Sequence, residues 1–337
     1  MTTSETMARE SAKSSGQTYK PQDGLLLEVE DLHVEFHTPD GIAKAINGVN
    51  FDLFEGQTLA ILGESGSGKS VTAQAIMGIL DMPPAVIPKG QIRYCGQDLL
   101  TMPDEQRRRT RGPEISMVFQ DALSSLNPVF PVGWQIAEMF RVHRGMNKSD
   151  AMERAVQLIQ RVQIPAAKEC VGAFPHQFSG GMRQRIMIAM ALALEPEVLI
   201  ADEPTTALDV TIQAQILKLM SDLKSELGMA MLMITHDLGV VANMADEVVV
   251  MYHGQVKESG TAEALFTRPQ HPYLTALLKA VPRFGMEPGE RLTPIREIKS
   301  KPTGMFAEGN PPKPGNETGT TMLEIDALSK GYRIRKS

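Results

Sequence analysis

Cysteine is nearly absent: Cys95 and Cys170 are the only two. That excludes a disulfide framework and any paired-cysteine metal knuckle. Long apolar runs are missing too. The longest uninterrupted one, Ile186–Leu194, is less than half of the about 20 residues that a membrane-spanning helix needs. The N-terminus has no basic stretch followed by an apolar core, so no export signal is visible. There is no basic excess: 34 basic against 40 acidic residues give a net charge of −6, which argues against a protein that coats nucleic acid. The seven histidines are expected to hold no zinc. What remains is ordinary for a globular chain, with 42% hydrophobic and 22% charged residues over 337 positions. A cytoplasmic α/β protein with a sizeable core is expected.

Residues 1–24 are rich in Ser, Thr, Lys, Gln and Glu. They cannot bury enough surface to offset ordering entropy, so a disordered leader is expected. Leu27, Val29, Leu32, Val34 and Phe36 then mark short strands, and Ile46–Leu53 marks another. Thr58–Leu62 enters a glycine-rich loop, and further apolar strands are expected at Ile115–Phe119, Val198–Ala201, Ala230–Thr235 and Val248–Tyr252. A helix is expected over Val71–Leu80. Another carries Met152, Ala155, Val156, Ile159 and Val162 on one face, with Asp150 and Glu153 as its capping pair. Alternating strands and helices imply a mainly parallel sheet covered by helices. About 121–178 reads as an inserted helical subdomain. Arg107–Arg111 reads as a solvated basic loop, and the 21 methionines as core filler. Residues 284–321, rich in Pro and Gly, read as a linker. Leu323–Tyr332 echoes Leu27–Phe36 without a gap. It is either an unrelated edge strand or the start, at Met322, of a second domain copy that runs through 322–337.

Three motifs carry chemistry. Gly63-Glu64-Ser65-Gly66-Ser67-Gly68-Lys69-Ser70, followed by Val71, fits the phosphate-loop pattern. Its glycines let backbone N–H groups turn towards phosphate oxygens, and the helix behind adds its positive end. Lys69 can reach the β- and γ-phosphates, and Ser70 can ligate Mg²⁺. The second motif is Val198–Ala201 closing on Asp202 and Glu203. Side chains alternate along a strand, so the two carboxylates are expected to divide the work, one on the metal and one on a water. The third is Ser179-Gly180-Gly181 at the start of a helix running to Leu194. It reads either as a simple N-cap or as a second phosphate site, which one nucleotide could not share with the first.

Together these residues resemble the nucleotide-binding subunits of ABC transporters, over roughly 25–283. The resemblance implies a P-loop NTPase of ABC type, with an antiparallel β subdomain beside the mainly parallel sheet. It implies ATP and Mg²⁺ as cofactors. Glu203 and His236 are implied as catalytic, and Phe36 as the adenine-stacking aromatic. Ser70, Gln120 and Asp202 are implied on Mg²⁺, and Gln120 and Asp209 in coupling loops. Ser179, Gly180 and Gly181 are implied on the ATP of a partner domain. Phe178 and Met182 depart from the Leu and Gln that many members carry there.

A narrower resemblance, to the oligopeptide/dipeptide importer subfamily, rests on Pro175-His176-Gln177-Phe178 and on Gln270-His271-Pro272-Tyr273 with Ala280-Val281-Pro282. On its own, His271 reads as a helix cap. No cysteine follows Cys170, so an iron–sulfur site is not expected. The implied partners are a second ATP-binding domain (separate, fused or identical), two polytopic membrane subunits and, indirectly, a periplasmic solute-binding protein. Nucleic acid is not among them. The implied place is the cytoplasmic face of a bacterial inner membrane, peripherally attached. A soluble ABC ATPase acting on ribosomes or DNA, or an exporter subunit, stays open as the alternative.

Overall fold

The computed structural model describes residues 24–206 and 208–280. The chain opens with a hairpin of β1 (Leu25–Thr38) and β2 (Gly41–Phe54). Next come β3 (Thr58–Leu62), the phosphate loop and helix α1 (Lys69–Met77). Strands β4 (Ala85–Tyr94) and β5 (Gln97–Asp98), helix α2 (Asp104–Thr110) and strand β6 (Ile115–Val118) follow. A run of helices follows: α3 (Ala122–Ser125), α4 (Val132–Arg144), α5 (Lys148–Arg161), α6 (Ala167–Cys170) and α7 (Gly180–Leu192). The chain then alternates through β7 (Val198–Asp202), α8 (Val210–Leu227), β8 (Ala230–Thr235), α9 (Leu238–Met244) and β9 (Glu247–Tyr252). It continues with β10 (Gln255–Thr261), α10 (Ala262–Thr267) and α11 (Pro272–Lys279). Two sheets result. One is antiparallel, in the order β2-β1-β4-β5; the other has the order β10-β9-β3-β8-β7-β6, parallel except for β10.

Period-2 alternation sorts the central strands between two faces. Val198 and Ile200 of β7, Leu232 and Ile234 of β8, and Leu59 and Ile61 of β3 pack with α1 and the antiparallel sheet. Leu199, Ala201, Met231 and Met233 point the other way, into the cluster formed with α4, α5, α7 and α8. Ala60 and Leu62 share their face with α9, α10 and α11. Because both faces are covered, these strands read as continuous apolar runs rather than alternating ones. The phase of β7 puts Asp202 on the side of α1, and that sets up the site below.

The first strand is longer than its apolar spacing suggests. Leu27 and Val29 are odd, whereas Leu32 and Val34 are even, yet all four are buried in one cluster. The change of phase falls at Asp31, whose φ is +45°, where the register with β2 shifts between Val29 and Leu32. A bulge at Asp31 therefore joins the expected short strands into one. Gly90 of β4 takes up the bulge, since a Cβ there would lie 2.6 Å from the Leu32 Cα.

Two expectations are corrected. Arg107–Arg111 is not a loop, although Arg108 and Arg109 are solvated as expected. Its first four residues lie in α2. Arg107 Nη2 donates to the Ala75 carbonyl at 3.2 Å and Arg111 Nη1 to the Gly78 carbonyl at 3.4 Å, so the two cations sit on the negative end of α1. The cap of α5 is Asn147, not Asp150 with Glu153. Asn147 Oδ1 accepts from the Asp150 N–H at 3.0 Å, and its amide donates back to the Asp150 carboxylate at 2.8 Å. The leader, the linker and the 322–337 echo lie outside the described residues.

Candidate functional site

The phosphate loop joins the end of β3 to α1 and is shaped by close packing. A Cβ on Gly63 would stand 2.3 Å from the Met251 carbonyl oxygen, and one on Gly68 2.7 Å from that of Ala45. Gly68 has φ +102° and caps α1 without any side-chain hydrogen bond, so the first N–H groups of α1 have no side-chain cap. Gly66 has φ +80°, and a Cβ there would meet nothing within 4 Å. Ser67 Oγ is buried and has no hydrogen-bond partner among the described residues. Lys69 is almost fully buried, and its ammonium donates to the carbonyls of Gly63 and Glu64 at 2.8 and 2.9 Å. Burial holds the Lys69 pKa below the usual lysine range, against the opposing pull of Glu203, Asp202 and Glu64.

Beside the loop the two carboxylates part company. Asp202 closes β7 and accepts from Ser70 Oγ at 3.0 Å. Burial raises its pKa above the usual carboxylate value, and the Glu203 charge adds to this, while Ser70 and Lys69 oppose it. Glu203 leaves the strand in a left-handed turn, φ +44°, with its N–H on the Ile234 carbonyl. Simple alternation is thus only part of why the two carboxylates differ; the turn re-aims Glu203. Its Oε2 accepts from Gln120 Nε2 at 3.0 Å and from Thr206 Oγ1 at 2.9 Å. Its Oε1 stands 3.1 Å from His236 Nδ1 and 4.0 Å from Lys69 Nζ. An Nδ1 facing a carboxylate carries the proton, which fixes the ring's orientation.

The fold therefore gathers Lys69, Ser70, Gln120, Asp202, Glu203 and His236 from three different strand ends and one helix. Thr206 joins them through its hydroxyl on Glu203, a contact that nothing in the sequence pattern announces. The remaining candidates stand apart: among the described hydrogen bonds and ion pairs, none joins Ser179, Gly180, Gly181 or Asp209 to this group. Ser179 caps α7 through the Met182 N–H at 3.4 Å, and Asp209 caps α8 through the Ile212 N–H at 3.0 Å. His271 caps α11 through its Nδ1, as its sequence position suggests. Phe36 sits on β1 opposite Ala43, near the β2 segment that approaches Gly68 through Ala45.

Gly181 has a constraint inside its own chain. A Cβ there would lie 2.7 Å from Ile212 Cγ2 on α8, and a β-branched residue in a helix has little freedom to move aside. Gly181→Ala is therefore expected to lower ATP hydrolysis by the assembled protein, and adding Ile212→Ala should restore part of it. Equal activities in the single and double variants would show that this contact does not matter.

Comparison with known proteins now adds to the geometry. The "ABC transporter" family profile matches residues 46–206. The oligopeptide transport ATP-binding protein OppD of Bacillus subtilis (strain 168) is 54% identical over 270 residues, 80% of this chain and 75% of that protein. The dipeptide transport ATP-binding protein DppD of Lactococcus lactis subsp. cremoris (strain MG1363) is 55% identical over 258 residues, 76% of this chain and 74% of that protein. Among solved structures, the dimeric ATP-binding cassette MJ0796 bound to ADP and Pi has a TM-score of 0.63 at 25% identity, over 70% of this chain and 99% of its own. With a glycine-rich loop after β3, paired acids at the end of β7 and relatives above half identity across about three-quarters of their length, the chain belongs to the ABC transporter family.

Proposed function

We propose that the chain is the ATP-hydrolysing subunit of an importer for peptides or similar small solutes. The observation that carries the hydrolytic role is the convergence of Gln120, Thr206, His236 and Lys69 on the one carboxylate of Glu203. The solute class is supported by the printed names of the oligopeptide and dipeptide transport relatives.

ATP lies with its phosphates along Gly63–Ser70 and Val71, and its adenine against Phe36. The donor set beside the loop is a hydroxyl, a carboxylate and an amide oxygen from Ser70, Asp202 and Gln120. All-oxygen donors of this kind suit Mg²⁺, and the Ser70–Asp202 pair is already together at 3.0 Å. Held there by Ser70, Asp202 and Gln120, Mg²⁺ would supply positive charge against the phosphates. Glu203 orients the attacking water and takes its proton; His236 holds the γ-phosphate. The site is completed by Ser179–Gly181 of a second ATP-binding domain, whose closure works on polytopic membrane subunits. No described helix is long and apolar enough to cross a membrane; the subunit attaches peripherally, at the cytoplasmic face, through those membrane subunits.

The test is reconstitution with the two membrane subunits and a solute-binding protein. ATP hydrolysis stimulated by an added peptide mixture is the expected result. Assembly without any peptide-dependent hydrolysis would remove the peptide reading, and failure to assemble would remove the transport reading.

A further inference from the structure

The subfamily motif around His271 contributes more than a helix cap. Tyr273, the second residue of α11, is 7% exposed. Its Oη accepts a hydrogen bond from the Glu64 N–H at 3.3 Å, across 209 positions of sequence. The same peptide unit is held on its other edge, where the Gly63 carbonyl accepts from Lys69 Nζ at 2.8 Å. The C=O and N–H of a trans peptide point in opposite directions within one plane. The Gly63–Glu64 unit is therefore gripped between Lys69 and Tyr273, while Gly63 is pressed against the Met251 carbonyl.

Tyr273 is itself held firmly. Its ring centroid lies 4.3 Å from that of Tyr252. Its N–H donates to His271 Nδ1 at 3.1 Å. The Glu258 carboxylate accepts from the N–H groups of Gln270 and His271, each at 2.9 Å. The Gln-His-Pro-Tyr stretch thus builds a rigid mount, and the mount's free end is a hydroxyl aimed at the phosphate loop. Burial pushes the phenol pKa up to about 12, so the group stays a neutral hydroxyl near pH 7.

We propose that Tyr273 is a positioning residue of the phosphate loop: by holding the Gly63–Glu64 peptide it keeps the loop's carbonyls on Lys69 and its amides turned to the nucleotide. The proposal rests on the reading of Gly63–Ser70 as the ATP site. It also gives α11, far along the chain, a direct contact with the nucleotide site.

Tyr273→Phe keeps the ring and its packing and removes only the acceptor. A neutral hydrogen bond of this kind corresponds to a factor of about 2–12. The KM for ATP of the reconstituted transporter is expected to rise about three- to tenfold, with kcat within about twofold of the parent. In the purified full chain without nucleotide, hydrogen exchange at the Glu64 amide should speed up by at least about threefold while the thermal midpoint falls by no more than about 4 °C, the scale for one lost neutral hydrogen bond. Unchanged KM and unchanged Glu64 exchange would overturn the proposal. So would a fall in kcat matching the rise in KM, or a midpoint lowered by about 8 °C or more, either of which would assign Tyr273 to general packing of α11. If the parent chain bound no MgATP, the ATP-site reading would fail, and the exchange measurement alone would still decide what Tyr273 holds.

Discussion

Glu203→Gln is expected to bind MgATP as the parent does and to hydrolyse it at least about a hundredfold more slowly, the scale for losing a general base. The structure explains why binding survives. Glu203 Oε2 accepts from Gln120 and Thr206, and a glutamine oxygen can accept the same two bonds. The other oxygen faces His236 Nδ1, where a glutamine NH₂ can donate once the imidazole moves its proton to Nε2. Shape and hydrogen bonds persist, and only the charge proposed to activate the water is lost. The variant should therefore accumulate with ATP bound, in the closed dimer. Turnover in the reconstituted transporter separates the outcomes: a rate within a few fold of the parent would remove Glu203 from the role of base.

Lys69→Ala acts earlier in the cycle. The ammonium is nearly fully buried and is held by two loop carbonyls, so its loss removes two internal bonds together with the phosphate contact proposed for it. Nucleotide binding itself should weaken by well over about tenfold, since hydrogen bonds to charged groups contribute about 1.5–3 kcal/mol each. Thermal unfolding with and without MgATP reads this directly. A ligand at a hundred times its Kd stabilises the folded state by about 2.7 kcal/mol, and the variant should lose nearly all of that shift at the same concentration. An undiminished shift would mean that Gly63–Ser70 is not where the phosphates bind.

These two predictions draw on residues of very different legibility. The phosphate loop is legible because its chemistry demands consecutive residues: glycines, a lysine and a hydroxyl on one turn. Asp202 and Glu203 are legible as a pair, but the left-handed turn that separates them is not, because nothing in the residue type of a glutamate signals φ +44°. Gln120 and His236 close apolar strands, and only resemblance to a family gives such positions a role. Tyr273 escapes because its partner is a backbone N–H, which has no letter in the sequence. Arg107 and Arg111 mislead for a related reason: a basic run is normally solvated, and these two side chains find the carbonyls of α1 instead. The bulge in β1 is written as a change of apolar phase between Val29 and Leu32, and it is easily taken for a break between strands.

The order of the large sheet bears on how the protein is made. β3 lies between β8 and β9, and its five buried residues, Thr58–Leu62, find both neighbours only near the end of the described chain. Thr58 N–H donates to the Asp246 carboxylate, 188 positions onward. At 5–20 residues per second, a ribosome needs about 10–40 s to cover that distance. Until β8 is made the nascent chain carries an apolar strand without either neighbour, and until β9 is made the glycine loop lacks its Met251 wall. The Gly63–Ser70 loop therefore reaches its folded shape late, after β9 emerges. Any ATP-dependent quality check on the growing subunit would have to wait for the same moment.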